Sequence, residues 1–285
     1  MHHESKEIIA HDGTILKVYL KEAGSPKWLI VTHGLGEHAL RHQYLFKLFT
    51  QEFNIIMYDL RGHGQSGGKR AYVEKFDEFY KDMDSVIKFL QDEYNMKEYM
   101  LLGHSMGGLI TAGYLQGHTQ EGLYPSKVFL SSPAGAAAGI LGPIFGNAPH
   151  LLYQALEKMP SVPLAGMLDI KKLSHDSRVY EAYVKDELCS LKIHSHLFFE
   201  ILNESRNVFS KPLRAQCELY CSIGTADVLV EHKMVIDYFR NIEKNCKLNT
   251  VEGGYHELHN EIEKYRRPHL EFLTASLTGS EFKVS

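Results

Sequence analysis

The feature that most limits what this chain can become is a series of short apolar runs separated by amphipathic helical patterns. KWLIVTHG is apolar at consecutive positions and stops at Gly34, as a strand buried on both faces does. NIIMYDL is the next such strand, and YMLLGHS and KVFLSS follow as further strands. Between them, HQYLFKLFTQEF has helical spacing, with Tyr44, Leu45, Leu48 and Phe49 on one side. FDEFYKDMDSVIKFLQDEY predicts a long amphipathic helix, because Phe76, Phe79, Tyr80, Met83, Ile87 and Leu90 keep a three-to-four period. GGLITAGYLQG predicts another helix. Strand alternating with helix through residue 132 means an α/β fold, a parallel sheet covered by helices on both faces. Ahead of it, KEIIAHDGTILKVYLKEA reads as a hairpin turning at Asp12-Gly13.

The alternation lapses between about 134 and 210, then resumes with CELYCSIG, HKMVIDYFRNI, CKLNTVEG and a last helix near IEKYRRPHLEFLTASL. The chain is therefore expected to be one domain, 1–285, with an insertion at about 134–210 between core segments 1–133 and 211–285. Within the insertion, Ala134–Leu156 is rich in Gly, Ala, Leu and Phe. It fits two readings equally: ordinary core, or a lid facing a lipid chain or a membrane surface.

A chain of 285 residues, 44% apolar and 23% charged, has ordinary globular composition. Its net charge of −4 carries none of the basic excess of a nucleic-acid binder. No apolar stretch approaches the roughly 18 residues that span a bilayer. The opening MHHESKEIIAHDG holds no signal-peptide core, so the expected location is the cytoplasm. Cys189, Cys217, Cys221 and Cys246 form no Cys-x-x-Cys pair and are expected as free thiols.

Chemistry concentrates at GHSMGG, residues Gly103–Gly108. In a doubly wound sheet the ligand site lies beyond the carboxyl ends of the strands, and Ser105 falls there. Gly103 and Gly107 leave room where a Cβ would collide with the neighbouring strand and helix. The turn presses the serine into a sparsely populated backbone conformation, and the helix that follows offers N–H groups to an anion. This is the strand–turn–helix context of a G-x-S-x-G nucleophile elbow. A serine hydroxyl needs a base, and the base needs an orienting carboxylate. In this fold class the order along the chain is serine, acid, histidine. GTADVLV places Asp227 just past a strand end, and GGYHELHNE places His256 just past the final strand. Ser105, Asp227 and His256 are thus the candidate catalytic set. The oxyanion donors would be the Met106 N–H and, from THGLGEH, the Leu35 N–H. His33 reads as a residue that fixes its loop by hydrogen bonding.

Two other patterns carry less. GHGQSG, residues 62–67, matches G-x-G-x-x-G, but no helix opens within it, so it reads as a turn beneath the active site. The chain contains 17 histidines, yet there is no His-Glu-x-x-His and no Cys/His ligand set, so no metal is expected.

HGLGEH, YDLRGHGQSGG, GHSMGG, SSPA, GTADVLV and GGYHELHNE together resemble, in order and spacing, the monoacylglycerol lipases and bacterial lysophospholipases of the α/β-hydrolase fold. LSHDSRVYEAYVKDEL resembles the segment after that family's cap. The resemblance covers nearly the whole chain. It implies a mostly parallel eight-stranded sheet flanked by helices, and a cap over an apolar acyl channel. It also implies hydrolysis of single-chain lipid esters through an acyl-enzyme without a cofactor. From its apolar composition, the lid is expected to dock transiently on bilayers. By the same resemblance Glu37 and His259 lie near the polar head-group pocket. Read from the residues alone, Glu37 caps a helix beginning near His38, and His259 is a surface residue of the last helix. A thioesterase, an acyltransferase, a proline-type aminopeptidase and a non-catalytic lipid carrier remain the alternative readings.

Overall fold

The computed structural model describes residues 3–49, 51–135, 160–166 and 168–279. Eight strands form one sheet: β1 (Glu4–Ile9), β2 (Ile15–Lys21), β3 (Lys27–Thr32), β4 (Asn54–Tyr58), β5 (Glu98–His104), β6 (Lys127–Ser131), β9 (Glu218–Gly224) and β10 (Cys246–Val251). Their order across the sheet is β1-β2-β4-β3-β5-β6-β9-β10. The β1–β2 hairpin is antiparallel and joins β4 antiparallel, while every pairing from β4 to β10 is parallel.

The consecutive apolar runs exist because both faces of the sheet are buried. In β3, Trp28 and Ile30 enter one hydrophobic core while Leu29 and Val31 enter the other. The same division holds for Ile56 and Tyr58 against Ile55 and Met57, and for Tyr99 and Leu101 against Met100 and Leu102. Packing α2 (Asp77–Tyr94) buries Phe79, Tyr80, Met83, Ile87 and Leu90, and the helix ends at Asn95 in the left-handed conformation. Met106 opens α3 (Met106–Gly117) directly after β5, and most of that helix is buried.

One expected helix is cut short. Among the described residues of 42–53, only α1 (Leu45–Leu48) is helical beyond the end of a 3-10 turn at Ala39–His42. Leu45, Phe46, Phe49 and Phe53 are all buried there. Neighbouring positions 45 and 46 lie on different sides of a helix, so one turn already places what the core accepts.

After β6 the chain leaves the sheet and returns at β9. The described part of this excursion contains β7 (Pro163–Ala165) paired antiparallel with β8 (Lys192–His194), α4 (Ser177–Lys185) and α5 (Ser195–Val208). Most of the Ala134–Leu156 stretch lies outside the described residues. Two further helices, α6 (His232–Asn241) and α7 (Glu263–Thr278), cover the later strands. Among the described residues no helix is long and apolar enough to cross a membrane.

The glycines of GHSMGG are required by contact. A Cβ on Gly107 would stand 2.1 Å from the Thr32 carbonyl oxygen at the end of β3. One on Gly103 would stand 2.4 Å from the Gly107 carbonyl oxygen. Only without these carbons can α3 start hard against the sheet. Gly107→Ala should therefore destabilise by at least about 1–3 kcal/mol, as overpacking does, because backbone rather than a movable side chain is in the way. Thermal melting of the variant checks this, and an unchanged Tm would contradict the packing described.

Candidate active site

Ser105 has φ 53° and ψ −118°, a conformation that non-glycine residues adopt at a cost of about 1–3 kcal/mol. It is held there from both sides. Its N–H donates to the Ser131 carbonyl (2.9 Å), and its own carbonyl accepts from Leu109 (3.1 Å) and Ala134 (3.0 Å). The side chain is thereby lifted off the end of β5 toward the loops after β9 and β10.

Asp227 and His256 meet it there. His256 Nε2 lies 2.9 Å from Ser105 Oγ, and its Nδ1 lies 2.7 Å from Asp227 Oδ2. The other Asp227 oxygen accepts from the N–H groups of Leu229 (2.9 Å) and Val230 (3.1 Å), which fixes the carboxylate plane. The Ser132 hydroxyl donates to the His256 carbonyl at 2.9 Å. With the ring's Nδ1–H donated to Asp227, Nε2 is the nitrogen left to accept the serine proton. Burial alone would lower the His256 pKa, but the adjacent Asp227 carboxylate outweighs it and holds the ring above its ordinary value.

On the opposite side of Ser105 runs the loop after β3. Ser105 Cβ would lie only 3.0 Å from a Cβ placed on Gly34, so loop and serine are in contact. His33 anchors the loop: its Nδ1 lies 2.8 Å from the Gly34 carbonyl, and its Nε2 accepts the Leu60 N–H at 2.9 Å. Burial, then the neighbouring His63, lowers the His33 pKa well below the ordinary value, so the ring is neutral. Leu60 leads into the GHGQSG turn, which wraps the buried Asp59; that carboxylate accepts from Gln65 N (2.7 Å) and Ala39 N (2.8 Å). Among the described residues, no group accepts from the N–H of Leu35 or Met106.

Glu37 and His259 lie differently from one another. Glu37 is buried and lines the cleft beside Ser105. Its Oε1 accepts from Gly34 N (2.6 Å) and faces His42 Nε2 (3.0 Å), and its Oε2 accepts from Arg41 Nε (3.1 Å). Burial works against its charge, but His42 first, then His104 and Arg41, hold it well below the usual carboxylate range. His259 sits in a 3-10 turn, Leu258–Asn260, before α7. It is buried against His42, His104 and Tyr44, at ring distances of 4.7, 5.1 and 5.2 Å, and does not line the cleft.

Two residues of the site escape a reading of the sequence. Arg41 donates through one terminal nitrogen to both Glu257 oxygens (2.7 and 2.6 Å) while its Nε holds Glu37. One buried guanidinium thus joins the loop after β3 to the residue beside His256. The Glu37/Arg41 spacing of four and the acid directly after His256 were the available signals. The Glu257 N–H donates to Leu173 (2.8 Å), so the excursion between β6 and β9 is tied to the same residue.

Above Ser105 opens a largely apolar cleft. Leu168, Ile170 and Leu173 line it, with Phe198, Ile201 and Leu202 of α5 and Leu229 and Val230 of the Asp227 loop. Glu37, Glu257, Ser105 and His256 form its polar end. Side chains able to hold a metal meet elsewhere, at His38, Asp186 and Cys189 and at the more exposed His11, Asp12 and Glu78. All four cysteines are free, and burial pushes the Cys189 thiol up to about 12 and the Cys217 thiol up to about 11.

A family model described as serine aminopeptidase, S33, matches residues 24–263. The chain belongs to this α/β-hydrolase family. The hydrolase is 29% identical over 259 residues to monoglyceride lipase of Homo sapiens, covering 86% of this chain and 80% of that protein. It is 27% identical over 241 residues to phospholipase YtpA of Bacillus subtilis, covering 83% and 90%. Among solved structures, a soluble variant of the Saccharomyces cerevisiae monoglyceride lipase in complex with a substrate analog matches with a TM-score of 0.81 at 17% identity, over 100% of this chain and 97% of that one, which shows a shared fold.

Two outcomes follow for the hydrolase. A histidine acting as base must be neutral, and Asp227 raises its pKa, so the acid limb of kcat/KM should fall above the ordinary histidine value of about 6.5. In Asp227→Asn the limb should move to lower pH while the rate drops about 10⁴-fold; a limb that stays put would break the link. Arg41→Met leaves two buried carboxylates without their cation and should cost about 3–5 kcal/mol of stability, read by denaturant unfolding.

Proposed function

We propose that this hydrolase is a serine carboxylic-ester hydrolase that releases fatty acid from single-chain lipids, monoacylglycerol or lysophospholipid, through an acyl-enzyme. The observation that carries the reading is the apolar cleft whose polar end holds Ser105 and His256, with Asp227 behind the histidine. The named activities of the relatives, a monoglyceride lipase and a phospholipase, supply the substrate class.

In this reading His256 Nε2 takes the proton of Ser105 Oγ as the oxygen attacks the ester carbonyl. The Leu35 and Met106 N–H groups receive the oxyanion, and Asp227 steadies the imidazolium. His256 then passes the proton to the departing alcohol. Water, activated by the same ring, releases the fatty acid and restores Ser105. Each methylene buried in the cleft is worth about 0.8 kcal/mol, which is why an apolar channel suits a long acyl chain. Glu37 belongs to the polar end that meets the alcohol, and His259 backs it through His42 and His104. The segment of about 134–210 acts as a cap on a single domain. Val162, Val184 and Leu191 are exposed on its described part and are the residues there that a bilayer would meet.

The family description names an aminopeptidase, which would need a carboxylate ready to receive the substrate ammonium. Glu37 and Glu257 line the cleft, but Arg41 engages both. That favours the ester reading.

Fatty-acid release from monoacylglycerol, lysophosphatidylcholine, a short aryl ester and a diacyl lipid tests it, alongside aminoacyl amides. Single-chain lipids should be cleaved, Ser105→Ala should lower turnover by about 10⁶-fold, and a fluorophosphonate should label Ser105. Across acyl esters, kcat/KM should climb by at most about fourfold per methylene until the chain outgrows the cleft. Cleavage of the aryl ester alone would sink the lipid assignment.

A further inference from the structure

The geometry points to a divalent transition-metal site, of the zinc type, formed by His38, Asp186 and Cys189. This goes beyond the esterase reading and does not depend on it. A ring nitrogen of His38, a carboxylate oxygen of Asp186 and the Sγ of Cys189 all lie within 4.8 Å of one another. His38 Nε2 and Asp186 Oδ2 are 2.9 Å apart. A tetrahedral zinc with nitrogen, oxygen and sulfur ligands holds its ligand atoms roughly 3.3–3.6 Å apart, given bonds of about 2.0–2.3 Å. A modest opening of the His38–Asp186 pair and an approach of Cys189 therefore meets that geometry. Imidazole, carboxylate and thiolate together are a borderline-soft set that suits zinc rather than magnesium or calcium.

The three side chains come from two segments, the loop after β3 and the turn that follows α4. His38 is buried and follows Glu37 in the loop after β3. Asp186 ends α4, and the turn Asp186–Cys189 is closed by the Cys189 N–H on the Asp186 carbonyl (3.0 Å). The Leu188 N–H donates to Asp186 Oδ1 at 2.9 Å, which orients the carboxylate and leaves Oδ2 for His38. The Ser190 N–H donates to the Gly36 carbonyl at 2.7 Å, so the turn is already seated on the loop that carries His38. Such hydrogen bonds to a ligand carboxylate are what preorganise metal sites.

The neighbouring Arg41 cation is compensated. Arg41 lies over the Tyr183 ring at 4.9 Å, and its guanidinium is held by the carboxylates of Glu37 and Glu257. Three carboxylates, with Asp186, face one guanidinium. On binding, the Cys189 S–H proton leaves to solvent as the metal–sulfur bond forms, and a water completes the fourth position. The ion would brace the excursion between β6 and β9 against the loop that carries Leu35.

The test uses the full chain, stripped with EDTA and dialysed, titrated with Co²⁺ and then with Zn²⁺. Cobalt should produce a near-ultraviolet thiolate charge-transfer band with tetrahedral visible bands, and zinc should bleach both. Zinc at about a hundredfold excess over its Kd should raise Tm by roughly 4 °C. Cys189→Ser should abolish the charge-transfer band, and His38→Gln should weaken binding by about tenfold or more. Cys217→Ser should keep band and affinity. Each variant's Tm without metal is recorded, so that a misfolded variant is recognised, and Asp186→Asn then stands in for it with the same expected weakening. No thiolate band in the wild type, or a band that survives Cys189→Ser, overturns the site.

Discussion

Arg41 is the interaction on which the site's architecture rests. A guanidinium buried with two carboxylates is costly to desolvate, and removing any one member strands charge in a medium that cannot solvate it. The chain keeps the arrangement where three separate segments meet. Glu37 belongs to the loop after β3, whose Gly34 touches Ser105. Glu257 follows His256 and receives Arg41 through both oxygens. Through its N–H, Glu257 also reaches Leu173 in the excursion that lines the cleft. The loop that touches Ser105, the residue beside His256 and the excursion thus share one electrostatic knot.

The sheet was legible in the sequence for a plain reason. Runs such as LIV in β3 and IIM in β4 have no polar face because both faces are buried, and that leaves little but a central strand to be. Ser105, Asp227 and His256 were legible because each stands just beyond a strand end and in the serine–acid–histidine order of the fold class. The spacing around Leu45–Leu48 predicts a longer helix than forms, since spacing alone does not reveal how soon a core is full.

What stayed hidden is what depends on pairing across the chain. Arg41 and Glu257 are 216 positions apart, and His38 and Asp186 are 148 apart. Motif reading looks for metal ligands a few residues from one another, so a set assembled from a core loop and a distant turn leaves no local trace. Glu37 and His259 show the same limit in another form. The resemblance placed them together near a pocket, and the structure lines the cleft with one and buries the other behind His42 and His104.

β6 and β9 are direct neighbours in the sheet, paired from Lys127↔Glu218 to Ser131↔Ser222. The excursion that supplies Leu168, Phe198 and Ile201 to the cleft is therefore a loop with both feet on adjacent, hydrogen-bonded strands. For such a loop, closure entropy grows only with the logarithm of length, and a doubling costs about 0.6 kcal/mol. The size and shape of the chamber are thus nearly decoupled from the energetics of the frame that aligns the reacting atoms. A lineage built on this frame is free to remodel what it admits without renegotiating how it folds.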